Sequence, residues 1–152
     1  MNKFIDSAKR LVNEGTLLAE EIIDPGLIAE EDLLRVHTND YVQSIASGNY
    51  FGITKRKLGL PWSPELNIRS RTAAAGTIRA AEAAAQYGIS CNLAGGTHHA
   101  FPDHGEGYCV FNDIAIAVKK QHFDAPSTKV LIVDLDAHQG NGTHFILGKE
   151  ER

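Results

Sequence analysis

The run from Lys129 to Leu135, KVLIVDL, constrains the fold more than any other stretch of this chain. It is apolar almost throughout and rich in β-branched residues, and a strand with no polar face must be covered on both sides. Its counterpart, ISCNLA from Ile89 to Ala94, has the same character. Helical patterns occupy the rest of the chain before and between the two runs. The order helix, strand, helix, strand predicts an α/β fold in which a parallel sheet is flanked by helices.

The helices carry their own punctuation. EEDLLRVH repeats apolar residues at helical spacing, Thr38 is placed to cap NDYVQSIAS, and Gly48 is placed to stop it. Ser63 and Pro64 make an N-cap and first-position pair, from which an alanine-rich helix runs to Tyr87 and ends at Gly88. So many alanines suit close packing against a sheet, whereas a coiled-coil seam wants larger side chains. Asn112 is the expected cap of the helix NDIAIAVKKQ, and THFILG begins another short one.

The chain has 152 residues, 43% hydrophobic and 22% charged, with a net charge of −4, which suits one globular domain spanning 1–152. No basic block exceeds Lys55, Arg56 and Lys57, a triplet that reads as a solvated loop, so nothing here is built to track a phosphate backbone or an anionic membrane. No apolar run approaches the length of a bilayer span and the N-terminus lacks a signal core; a cytoplasmic location is the expectation. Cys91 and Cys109 are too few and too far apart for a disulfide framework and read as reduced thiols, with Cys91 in the core.

In open parallel sheets, ligands collect beyond the carboxyl ends of the strands. Both runs empty into polar clusters there: ISCNLA into GGTHHA, and KVLIV into DLDAH. Side-chain alternation puts Asp134 and Asp136 on one side of an extended strand, and His138 continues the phase. A carboxylate and an imidazole two residues apart can converge on one ion with Asp134 behind them; satisfied polar residues at a strand end fit the same letters. His98 and His99 follow a glycine pair that lets the chain turn sharply, and two adjacent imidazoles disfavour double protonation. Neighbouring histidines in a loop also occur with no shared task.

GGTHHAFPDHGEGYCVFND followed by VLIVDLDAHQGNGT resembles the metal-dependent histone deacetylase family, and DAHQGNG in particular is similar to its class IV branch and to bacterial deacetylase-like relatives. EEDLLRVHTNDYV and LGLPWSPEL resemble the family's upstream segments, so the likeness covers essentially the whole chain. The resemblance implies an arginase/deacetylase-like sheet and zinc-dependent hydrolysis of acetyl-lysine or a small acylated amine. It implies Asp136 and His138 as two zinc ligands, His98 and His99 as imidazoles facing the activated water, Asp134 as the hydrogen-bond partner of His98, and Asn141 behind His99. Gly107 and Tyr108 would line a narrow acyl-lysine channel, the glycine through its carbonyl and the tyrosine as a wall. The backbone around Asp134, Asp136 and His138 would hold a structural potassium ion. The zinc would polarise the acetyl carbonyl and lower the pKa of its bound water from about 15.7 towards roughly 7, and His99 would carry the proton to the leaving amine, with His98 mainly electrostatic. Ferrous iron suits the same donors.

Two departures from the family pattern matter. Many relatives place an aspartate where this chain has Asn141; a neutral amide orients the ring but stabilises imidazolium less, and the class IV pattern shares the asparagine. Between Gly140 and Gly142, Asn141 also fits a plain turn. Family members continue further, with a third metal ligand, an oxyanion-binding tyrosine and more strands, so sheet and site are both expected to be incomplete. Asp103 and His104 are the loop residues in a position to substitute as ligands. The functional alternatives are the N-terminal part of a deacetylase and a non-catalytic remnant or interaction module of the same fold. A ureohydrolase of the arginase type needs a carboxylate two residues after the histidine, where Gly140 stands. Apolar strands left uncovered predict self-association.

Overall fold

The computed structural model describes residues 3–50 and 53–148. They form α1 (Lys3–Asn13), a 3-10 turn at Ala19–Glu21, α2 (Glu30–Leu33), α3 (Asn39–Ser47), α4 (Ile53–Leu58), α5 (Pro64–Tyr87), α6 (Asp113–Asp124) and α7 (Asn141–Leu147).

Local chemistry accounts for the helix ends. Thr38 Oγ1 accepts from the Tyr41 N–H at 3.4 Å, and α3 stops at Gly48, whose φ of 77° is costly for any other residue. Ser63 Oγ accepts from the Leu66 N–H at 3.1 Å, Pro64 sits where its missing N–H costs nothing, and α5 ends at Gly88. Asn112 Oδ1 accepts from the Ala115 N–H at 3.0 Å and starts α6. EEDLLRVH, by contrast, makes only the single turn of α2 before irregular turns lead to His37. The Lys55, Arg56 and Lys57 triplet lies in helix α4, a correction to its reading as a loop.

Buried apolar side chains gather in one cluster. Helix α5 supplies Leu66, Ala74, Ala75 and Ile78, α6 supplies Ala115, Ile116 and Ala117, and α3 supplies Tyr41, Val42 and Ile45. Phe111 fills its middle, edge-on to Tyr41 at 6.0 Å and tilted against His37 at 5.3 Å. Full burial of each large apolar side chain stabilises by about 1.5–3 kcal/mol, so this cluster pins both ends of the long loop that joins α5 to α6. The alanine stripe of α5 meets α6 and α3, where the sequence led us to expect a sheet.

That sheet is a correction. Among the described residues there is no strand, and β-pairing is limited to one antiparallel bridge between Glu106 and Cys109. Segments 89–94 and 129–135 run without regular hydrogen bonding, and Ile89, Leu131, Val133 and Leu135 are 84, 87, 68 and 90% exposed. A strand is stable only through neighbours that complete its ladder and cover its faces, and no described segment pairs with either run. Cys91, expected in the core, is exposed on the first run for the same reason. Among the described residues no helix is long and apolar enough to cross a membrane.

Candidate active site

The loop between α5 and α6 is held by a buried carboxylate at its far end. Asp113, fully buried at the start of α6, accepts from the Thr97 N–H through Oδ1 at 2.7 Å and from the Gly96 N–H through Oδ2 at 3.0 Å. The Thr77 hydroxyl donates to Oδ2 at 2.5 Å, and Thr97 Oγ1 lies the same 2.5 Å from Oδ1. A carboxylate can be buried when its lone pairs are filled in this way. The result is a fixed approach of the backbone to His98.

The far side of the histidine pair is clamped as firmly. His37 Nδ1–H donates to the Phe101 carbonyl at 3.0 Å, and Nε2 accepts the Asn112 N–H at 3.0 Å, which fixes a neutral imidazole at the bottom of the loop. Burial pushes its pKa down from the usual 6.5 to about 4. The Asn112 amide donates to the Ala100 carbonyl and to Thr143 Oγ1, both at 3.1 Å, while the Thr143 N–H donates to the His98 carbonyl at 3.0 Å. Helix α7 is thereby stapled to the backbone of the histidine pair, and segment 134–141 comes with it.

His98 and His99 stand side by side, ring centroids 4.2 Å apart. His98 Nδ1 meets Asp134 Oδ2 at 2.6 Å, and His99 Nδ1 meets Asn141 Oδ1 at 2.7 Å. Since each partner oxygen accepts, both rings carry the proton on Nδ1 and keep Nε2 as the basic nitrogen. The His98 N–H, followed by the Asp136 N–H, holds the Asp134 carboxyl below the usual carboxylate range.

The DLDAH segment reaches the pair by a route that alternation along a strand does not describe. Asp134 Oδ1 accepts the Asp136 N–H at 3.0 Å, and Asp136 Oδ1 accepts the His138 N–H at 2.7 Å. Two successive Asx-type turns therefore fold the segment back on itself. They carry the His138 ring to 6.1 Å from that of His99, centroid to centroid. His138 Nδ1 also lies 2.9 Å from Asp136 Oδ1, and the His138 N–H and ring together hold the Asp136 carboxyl low. Both side chains are open to solvent, at 52 and 79% for Asp136 and His138. These donor types suit zinc or ferrous iron, but they number two, and a catalytic zinc takes three protein ligands plus water. Among the described residues no group of three or more His, Cys, Asp or Glu is placed to hold an ion.

Gly107 and Tyr108 form a tight turn between the bridged Glu106 and Cys109, with φ of 54° and 67° at the two central positions. Both values lie in the left-handed region, the pattern of a type I′ turn, and for tyrosine it is a strained one. The turn is pinned to the end of α4, since the Gly107 N–H donates to the Lys57 carbonyl at 3.0 Å and the Tyr108 N–H to that of Leu58 at 2.9 Å. Tyr108 is left 68% exposed. A Cβ at position 107 would stand 2.6 Å from His99 Cδ2, so glycine lets the turn lie directly under the catalytic candidate. The Gly107 carbonyl is already approached by Cys109 Sγ at 3.6 Å.

Asp103 and His104 do not turn to the pair as substitute ligands. His104 stacks on Phe101, its Nδ1 meets Asp103 Oδ1 at 2.7 Å, and its Nε2 meets Lys57 Nζ at 3.1 Å. A Cβ at Gly140 would stand 2.5 Å from Asp134 Oδ2, so the extra carboxylate of an arginase-type site has no room here. Sequence reasoning missed Glu106, Asp113 and His37. Glu106 is the carboxylate nearest in sequence to the Gly107 and Tyr108 pair, but no spacing rule links it to a residue 35 positions later; Asp113 directly follows a recognised cap, which drew attention to Asn112 instead.

Residues 2–152 match a family model described as the histone deacetylase domain. A protein of Picosynechococcus sp. is 43% identical over 136 residues, 90% of this chain and 45% of its own length. Histone deacetylase 2 of Arabidopsis thaliana is 33% identical over 150 residues, covering 95% of this chain and 39% of that protein. The acetoin utilization protein AcuC of Staphylococcus aureus is 31% identical over 148 residues, 89% of this chain and 37% of its own. Among solved structures, an HDAC homolog from Aquifex aeolicus superposes with a TM-score of 0.79 at 25% identity, over 92% of this chain and 40% of that one. An HDAC homolog complexed with SAHA gives 0.78 at 25% identity, over 91% and 40%. The chain spans less than half the length of these relatives.

Proposed function

The chain belongs to the histone deacetylase family, and from that premise we propose that its histidine-pair cleft is part of the active site of an amide hydrolase acting on acylated lysine or a small acylated amine. The observation that carries this reading is the pair itself: two imidazoles side by side, each held through Nδ1 by a separate acceptor, each presenting Nε2 as a base.

Asp136 and His138 are the residues that would hold zinc or ferrous iron, together with a further ligand from outside the described residues. When bound, such an ion supplies Lewis acidity towards the acyl carbonyl and a more acidic water. The rest falls to side chains of this chain. His99 Nε2 accepts the proton given up as water adds to the amide carbon and returns it to the departing amine as the C–N bond breaks; the amine leaves neutral and the acyl group leaves as the carboxylic acid, whose own proton then passes to solvent. The Asn141 carbonyl keeps Nδ1 protonated throughout, so the ring always offers the same nitrogen. His98, backed by the Asp134 carboxylate, serves as an electrostatic partner. Tyr108, exposed beside Gly107, is the side chain that would serve as a wall for the acyl-bearing chain.

A second reading is favoured by the incomplete donor set: a non-catalytic module that keeps the geometry of the pair without turnover. Incubation of the protein with zinc and a fluorogenic acetyl-lysine peptide separates the two. Hydrolysis above background that disappears in His99→Ala is the result expected of the hydrolase; equal, background-level release from both proteins establishes the module.

A further inference from the structure

Asn141 makes more contacts than the one that faces His99. Its Oδ1 also accepts the Gly142 N–H at 3.1 Å, and its Nδ2 donates to Glu106 Oε1 at 3.0 Å. An amide has one accepting and one donating end, and only this orientation satisfies all three neighbours. Turned over, it would set its carbonyl against a carboxylate and its NH2 against the Gly142 N–H. The state of the His99 ring then depends on which end of Asn141 it meets: facing the carbonyl, Nδ1 must carry the proton, and facing the NH2 it must not.

The Glu106 carboxylate is itself held from behind. Its Oε2 lies 3.4 Å from Lys57 Nζ. Its backbone is closed into the turn by reciprocal bonds with Cys109, at 3.2 and 2.9 Å. The same turn carries Gly107 against His99 and leaves the Tyr108 side chain exposed, so one element both underlies the His99 ring and supplies the acceptor for Asn141. Hydrogen bonds from Asn141 and Lys57 keep the Glu106 carboxyl below the usual range, which leaves it an acceptor at neutral pH.

We infer that Glu106 is a positioning residue for His99: by fixing the orientation of the Asn141 amide, it locks His99 in the tautomer that presents Nε2 as the base. The inference rests on the reading of His99 as proton carrier, and it assigns to this chain a carboxylate one residue removed from the ring, joined to it through a neutral amide. Glu106 touches neither substrate nor the reacting atoms. Its effect passes wholly through Asn141.

Long-range proton–nitrogen spectra of the isotope-labelled protein report directly which ring nitrogen of each histidine carries the proton, above the pH range where imidazoles titrate. The wild type is expected to show His99 protonated on Nδ1. In Glu106→Ala the population with the proton on Nε2 should rise roughly tenfold or more, as the loss of one charge-assisted hydrogen bond predicts. Glu106→Gln, which keeps an accepting oxygen, should retain most of the wild-type signal. Adding Asn141→Asp to Glu106→Ala should restore it, because a carboxylate accepts at either oxygen. His98, held by Asp134, should not change in any variant. A His99 signal unaltered in Glu106→Ala, an equal change at His98, or no rescue by Asn141→Asp would overturn the inference. Loss of peptide hydrolysis plays no part in this measurement, so failure of the hydrolase reading is read separately, from the assay.

Discussion

His37 shows how much of this site depends on a residue that never reaches the cleft. Its two ring nitrogens join the Phe101 carbonyl to the Asn112 N–H, and burial keeps it neutral with a pKa of about 4. In the unfolded chain it titrates near 6.5. Above about 6.5 the residue is neutral in both states and its stabilising bonds are fully in place; as pH falls from 6.5 to 4 the unfolded chain gains a proton that the folded protein refuses. Stability should therefore drop by about 3 kcal/mol across that window and level off below it. Denaturant titrations at several pH values check this: His37→Gln, weaker at neutral pH, should lose that part of the acid slope, and an identical slope in both proteins would refute it. At the same scale, His98 meets Asp134 and His99 meets Asn141, each through Nδ1. Glu106 lay beyond the sequence reading because the contact that gives it meaning joins two loops through an amide, a relation that no spacing in the sequence expresses.

Elements whose ends are set by local chemistry were legible. A threonine, a serine and an asparagine start α3, α5 and α6, and glycines end the first two, because each cap is decided within four residues. The loop between α5 and α6 was legible only as a loop. Its shape comes from Asp113, which gathers the Gly96 and Thr97 N–H groups and the Thr77 hydroxyl across 17, 16 and 36 positions of sequence. Replacing that carboxylate strands several buried donors at once, and Asp113→Ala should cost on the order of 3–5 kcal/mol. Asp113→Asn, which keeps the shape but turns one acceptor into a donor, should cost less. Hydrogen exchange at Gly96 and Thr97 should accelerate in both variants well before α5 and α6 lose protection; uniform loss of protection would show that the carboxylate serves the whole fold and not the loop.

On the scale of the whole molecule, the parallel sheet is the part of the sequence reading that the structure does not bear out. A run such as KVLIVDL states that it wants to be covered, but the covering residues are elsewhere in the chain or outside it, and no local rule supplies them. Leu131, Val133 and Leu135 stand bare instead. Light scattering over a concentration series should show self-association through this segment, and Leu131→Lys with Leu135→Lys should weaken it; a monomer at every concentration would contradict the expectation. The site assembles all the same, because α7 and the Asx turns, rather than a ladder, bring segment 134–141 to the histidine pair. The most direct measurement of that convergence is the nuclear Overhauser spectrum of the aromatic region in the metal-free protein. Cross-peaks from the His99 ring to both the His98 and the His138 ring protons are the predicted result. A His99 ring that sees His98 alone, with His138 free in solvent, would contradict the shared cleft on which the proposed chemistry depends.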